Sequence, residues 1–274
     1  MSTMWNSLAL ALVATAMTPA TAQEDGANYE LAANGTVQIA PDGHVSDYRL
    51  ESNLAPVVAD LVRKSVMGWH FEPIVVEGKP VIAKTAMHLQ LSAEPAKGKP
   101  GEFVVRVASM TFGSPRQTAN TAPRYPMAAA RARMMANVLL ALRLDKDGNV
   151  LQAIPYRTSL NMKFPGENKA EFWRRMFEEA SVASAKTWRF DMTESVGGVQ
   201  MDGTAIVPIA FRVSRTGKSD PAQWQGFVDG PAHEIPWHTQ ARPDEDRIAR
   251  LADSEALAMD SRFHLKDDVI GKAL

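Results

Sequence analysis

The chain has 274 residues, 45% of them hydrophobic and 22% charged, an ordinary balance for a folded protein. The formal net charge of −1 excludes any general electrostatic pull toward nucleic acid or an anionic membrane. The absence of cysteine excludes a disulfide scaffold, a thiolate metal site, a cysteine nucleophile and a lipid-modified N-terminal cysteine.

Residues 8–17 (LALALVATAM) are apolar and uncharged, and Ala20-Thr21-Ala22 then precedes the polar Gln23-Glu24-Asp25. A short apolar run and a small-x-small site read as a signal peptide over residues 1–22, cleaved after Ala22 so that the mature chain begins at Gln23. The positive end would be the N-terminal amine alone, since no Lys or Arg precedes the run. The run is shorter than the roughly 20 residues a spanning helix needs. No later segment is apolar enough to span, so no membrane span is expected after cleavage.

A first module is expected over residues 30–94. Gly35–Ser52 holds an apolar strand, Asp42-Gly43 and a second strand. Asp-Gly suits a tight hairpin turn, with Gly43 supplying the positive φ. Val57, Val58, Leu61, Val62, Ser65 and Val66 then form a helical stripe, with Pro56 in the first turn. Trp69-His70-Phe71-Glu72 follows, and a strand opens at Thr85-Ala86. Residues 95–119 read as a linker carrying the Pro95–Pro100 loop and an extra strand at Glu102–Gly113.

The same order returns over residues 120–214. Val138, Leu140, Leu142 and Leu144 alternate with Leu139, Ala141 and Arg143, a period-2 strand with both faces fairly apolar. Asp147-Gly148 is the turn, with Gly148 in the place of Gly43. Residues 160–169 lengthen the connection to a helix. Its stripe is Phe172, Trp173, Met176, Phe177 and Ala180, with Arg174, Arg175, Glu178 and Glu179 opposite. Trp188-Arg189-Phe190-Asp191 follows, then a strand at Thr204-Ala205. Trp and Thr-Ala lie 16 residues apart in both segments. A hairpin or a helix of this length is marginal alone. Packing the helix stripe on one sheet face buries both, with Trp69, Phe71, Trp188 and Phe190 as plugs at the junction. The fold class expected is therefore α+β: two tandem ββαβ modules, each an antiparallel sheet with a helix on one face. Residues 215–274 read as a polar tail, with a short helix at 248–259.

The ordered residues Pro123-Arg124-Tyr125-Pro126, Ala128–Arg133, Asp147-Gly148, Trp188-Arg189-Phe190 and Thr204–Val213 resemble the C-terminal domain of the TonB family. The second segment carries the full pattern. The first lacks the Pro-x-Tyr-Pro opening. The resemblance implies a periplasmic domain that binds a peptide of an outer-membrane transporter, or another envelope protein, by strand addition. The candidate edge is Thr204, Ala205, Ile206, Val207, Ile209, Ala210, Phe211, Arg212 and Val213, with Pro208 limiting the register. The long Pro-rich spacer and uncleaved N-terminal helix of a complete energy transducer are not read in the sequence, so that role is not expected.

Other motifs have simpler readings. His233-Glu234-Ile235-Pro236-Trp237-His238 spaces its histidines five apart and breaks the helix at Pro236, unlike a zinc-protease helix; a polar loop is expected. Asp145-Lys146-Asp147-Gly148-Asn149 is similar to a calcium loop, but its Gly comes too early, and a hairpin turn is expected. His70 and Arg189 are read as solvent-facing, with a ligand role as the alternative. No nucleophile–base–orienter set is legible, so neither enzymatic activity nor a cofactor or metal is expected. Peptide binding in the periplasm is the favoured function. A purely structural envelope protein, or a hydrolase or metal enzyme using the tail, are the alternatives.

Overall fold

The computed structural model describes residues 29–96, 102–213, 226–238, 245–249 and 251–274. The expected signal peptide, residues 1–22, and the rest of the expected Pro95–Pro100 loop lie outside them. In chain order the elements are β1 (Tyr29–Ile39), β2 (Val45–Leu50), α1 (Pro56–Met67), β3 (Val75–Val76), β4 (Lys79–Pro80), β5 (Ala83–Pro95), β6 (Phe103–Phe112) and β7 (Arg116–Ala119). Then come α2 (Met127–Arg131), β8 (Ala136–Leu144), β9 (Val150–Leu160), α3 (Glu167–Ala185), β10 (Arg189–Asp191), β11 (Ser195–Val196), β12 (Val199–Gln200), β13 (Gly203–Phe211), α4 (Glu245–Ala249) and β14 (Leu257–Ala258). The class is mixed α+β with antiparallel sheets.

The first sheet runs β12-β11-β5-β1-β2, with β6 also on β5. The second runs β14-β13-β8-β9. Each has a helix on one face. On the first, α1 buries Val62 and Val66, each worth about 1.5–3 kcal/mol when fully removed from water. On the second, α3 buries Ala170, Phe177, Ser181 and Ala185. Pro56 opens α1 as expected, its missing N–H costing nothing in the first turn. The stripes are narrower than the sequence implies. Val57 and Phe172 face solvent. Arg174, expected on the polar face, is nearly buried and pairs with Glu167.

The helix expected at 248–259 is displaced: α4 ends at Ala249. Ser254 sits at φ +67, and its N–H donates to the Pro208 carbonyl at 2.8 Å. The backbone there bonds to a neighbouring strand instead of to itself. The extra strand expected within 95–119 is β6, and the segment pairs with strands before and after it rather than only joining them. β6 lies along β5, and β7 pairs with β10. The hairpin β11–β12 crosses to the first sheet, pairing Ser195 with Lys84 and Val196 with Ala83. The two sheets are thus interlocked.

The last residues are not a plain polar tail either. They run along β13 at β14, place Phe263 in the first core, exchange backbone bonds between 264–266 and 70–72, and finish beside β6. The N–H groups of Gly271 and Leu274 donate to Val107 and Val105 at 2.8 and 2.9 Å.

Candidate functional site

Over its whole length β13 pairs with β8 on one side, from Gly203↔Leu144 to Phe211↔Ala136. Ala205, Val207, Ile209 and Phe211 contribute to the core that Phe177 and Trp188 complete. Ile206 faces the other side, against Leu139, Ala141, Tyr156, Ile235, Ile248 and Leu257. Both faces of this sheet are therefore covered, which accounts for the two-sided apolar character of residues 138–144.

Covering the second face brings residues 253–259 alongside the outer edge of β13. Met259 donates to the Thr204 carbonyl at 2.9 Å, Leu257 pairs with Ile206, and Ser254 donates to Pro208. The Ala210 N–H donates to Asp253 Oδ1 at 2.7 Å. Residues 204, 206, 208 and 210 thus aim their backbone groups at the tail, and Pro208 lacks its donor on that side. The candidate edge is already occupied by the chain's own C-terminal segment. Arg212 and Val213 lie past the end of the strand. Arg212 donates to the Ala136 carbonyl at 3.1 Å and to Asn137 Oδ1 at 2.6 Å, and lies 4.7 Å over the Phe227 ring.

The far half of β9 is closed in the same manner. Val228 and Leu160 exchange backbone bonds, while Gly230 and His233 donate to Thr158 and Tyr156. Among the described residues no strand pairs with the outer edge of β2, Val45–Leu50.

The repeated pattern of Trp-x-Phe and Asp-Gly residues is structural. Trp188 is 1% exposed, and its Nε1 donates to the Thr121 carbonyl at 3.0 Å. Trp69, Phe71 and Phe190 are buried too. Tyr125 donates to the Met134 carbonyl and meets Phe177 and Phe211 edge-on, and burial pushes its hydroxyl up to about 12. Asp145 Oδ1 accepts from the N–H groups of Asp147 and Asn149 at 2.9 and 2.8 Å. Side-chain and backbone bonds from Asn149 hold its carboxyl below the usual range. The residues similar to a calcium loop thus satisfy one another as a turn.

At the junction of the two sheets lies Glu194, which the sequence reading passed over. Its Oε1 accepts from Ser261 Oγ at 2.6 Å, and Arg262 lies 3.9 Å from its Oε2. Gly113, at φ +73, leaves room for it: a Cβ there would fall 2.2 Å from Oε1. Burial raises the Glu194 carboxyl, opposed by Ser261, Arg262 and Thr85. Beside it is a cavity of about 440 Å³ lined by Arg143, Thr204, Trp237, His238, Asp260 and Arg262, among others. His238 is nearly buried, with Nδ1 2.8 Å from Asp260. The loop 231–235 is irregular, and a turn follows at Pro236-Trp237. Among the described residues no group of three or more His, Asp or Glu is arranged to hold a metal ion, and no helix is long and apolar enough to cross a membrane.

Comparison with known proteins finds likeness to "Protein TonB" of two strains of Xanthomonas campestris pv. campestris. Each is 28% identical over 92 residues, covering 34% of this chain and 35% of the relative. The match spans about a third of the length of those curated relatives. No protein-family model matches. No solved structure matches.

Proposed function

We propose that this chain is a non-catalytic, TonB-like interaction protein of the periplasm, exported by cleavage near Ala22 and built from two copies of one ββαβ module. The observation that carries the reading is the ordered set from Pro123 to Val213, in a chain with 92 residues of likeness to TonB. The copy relationship draws support from matched turn contacts: Phe71 donates to the Gly43 carbonyl, and Phe190 to that of Gly148. The partner is an envelope protein, with a segment of an outer-membrane transporter as the leading candidate. The role is that of an adaptor and not of a complete energy transducer.

Strand addition needs unpaired main-chain groups. Among the described residues no strand covers the outer edge of β2, whereas Thr204–Val213 offers such groups only after residues 253–259 lift away. The β2 edge is therefore the first docking position, with backbone bonds supplying affinity. The filled edges of β9 and β13 favour one second reading, a structural envelope protein that binds no peptide.

Site-specific photocrosslinking in intact envelopes separates these. A crosslinker at Asp47 that captures an outer-membrane transporter supports docking on β2. Capture from Ala210 only after truncation before Asp253 supports the strapped edge. Capture of no envelope protein from either position leaves the structural reading standing.

A further inference from the structure

His44 follows the first Asp-Gly turn, and His70 stands between Trp69 and Phe71. An antiparallel bridge sets the two residues side by side. Their Nε2 atoms are 3.0 Å apart. Behind them, His44 Nδ1 lies 3.2 Å from Asp42 Oδ2, and His70 Nδ1 lies 3.4 Å from Asp267 Oδ2. The Asp267 oxygen also accepts the His70 backbone N–H at 2.7 Å. A neutral imidazole has one N–H and one lone pair. If both Nδ1–H groups serve their carboxylates, two lone pairs face each other across 3.0 Å, and only a positive centre between them makes that contact favourable. The rings do not meet head-on as a linear N–H···N bond prefers: their centroids are 4.4 Å apart, with planes at 63°.

We propose that His44 and His70 form a two-nitrogen site for a divalent transition cation, with Cu²⁺ the best fit. Metal–imidazole bonds of about 2.0–2.1 Å, closing on nitrogens 3.0 Å apart, subtend about 94° at the metal. That is the cis angle of a tetragonal or octahedral site; a tetrahedral ion would hold the nitrogens about 3.3 Å apart. Two imidazoles in cis suit Cu²⁺, which also heads the affinity order of divalent metals for nitrogen sites. Both histidines are about half exposed, so water completes the coordination. A carboxylate behind each ligating histidine fixes its tautomer and aims its ring. Only the first hairpin has this set. In the second, the bridged pair is Asn149 and Arg189, and the guanidinium places a fixed cation there instead. Asp267 belongs to the C-terminal segment, so an occupied site would also hold that segment against residues 70–72.

The test is titration of the full mature chain with Cu²⁺ chloride against glycine as competing chelator, with electron paramagnetic resonance of the bound metal. The expected result is one Cu²⁺ per chain with two imidazole nitrogens in its spectrum. His44→Asn and His70→Gln should each lower the affinity about tenfold or more, and Asp267→Asn should lower it less. His233→Gln is the control and should leave binding unchanged. Equal Cu²⁺ affinity in wild type and His44→Asn, or a spectrum without imidazole nitrogen, would overturn the proposal. Should His70→Gln fail to fold, the exposed His44→Asn decides alone.

Discussion

Gly148 and Phe190 are locked back to back. Phe190 donates its N–H to the Gly148 carbonyl at 3.0 Å, and the Phe190 carbonyl lies 1.6 Å from where a Cβ on residue 148 would sit. Gly43 and Phe71 repeat the relationship, with a 2.8 Å bond and a Cβ position 2.3 Å from the carbonyl. Each Asp-Gly turn is therefore fixed both by its own positive φ and by the backbone that passes behind it. Gly78 separates the two effects, since its φ of +78 matches the +77 of Gly148 but nothing lies within 4 Å of its Cβ position. Gly78→Ala should cost about 1 kcal/mol, the strain of a left-handed residue. Gly148→Ala should cost at least about 2 kcal/mol more, the scale of a displaced core contact. Urea denaturation of the two variants measures the difference, and equal costs would remove the crowding argument.

Trp188→Ala should destabilise by about 3–5 kcal/mol, as emptying a buried aromatic site does. Phe172→Ala should cost under about 1 kcal/mol, because that ring is 45% exposed although it falls on the apparent stripe of α3. Paired thermal melts check both. Similar shifts would return Phe172 to the core.

Glu194 gives a pH prediction. Its folded pKa is raised, chiefly by burial, so between the ordinary carboxylate range and that raised value the folded state binds the extra proton. Stability from this group is greatest at low pH. It falls as pH rises through that window and is flat above it. Other carboxylates act in the opposite sense, among them Asp145, so the test is a difference. Glu194→Gln, which keeps an acceptor for Ser261, should lack the fall that wild type shows. Unfolding free energies of the two proteins measured from mild acid to neutrality check it, and parallel profiles would contradict the assignment.

What was legible in the sequence is local. Asp42-Gly43 and Asp147-Gly148 predict their turns because Gly admits a φ that other residues resist. Val62, Val66 and Phe177 announce helices by period, and both tryptophans fall where the chain leaves a helix for a sheet. Illegible are contacts between short pieces far apart in sequence. Ser195-Val196 crosses to the first sheet through two residues, too few to show a period. Leu257 joins β13, and His44 meets His70, with nothing in either segment naming its partner. One clue was present: Leu139, Ala141 and Ile206 make the second face of their sheet apolar, and an apolar face demands a cover. The identity of that cover, Ile235, Ile248 and Leu257, follows only from the folded chain.

The C-terminal segment should behave as one strap. It takes the edge of β13 with residues 253–259, contributes Ser261 to Glu194, buries Phe263 among first-sheet residues, and ends on β6. Only Phe263 is a large side chain buried at 3% exposure between the two ends. Its loss should therefore release both at once, since what then holds the stretch between them is the partly buried Leu265 and Val269 and single backbone bonds worth about 1 kcal/mol each. Phe263→Ala should make the amides of Lys266, Gly271 and Leu274 exchange with deuterium together, and that of Met259 with them, as a cooperative unit does. The amides of β8, held between two strands, should stay protected. If Met259 keeps its protection while Gly271 and Leu274 lose theirs, the segment is two independent clasps. The β13 edge would then stay closed when the first sheet lets go. If all four open together, freeing the strap also exposes residues 204–210, and the variant should gain strand-addition capacity there that wild type lacks.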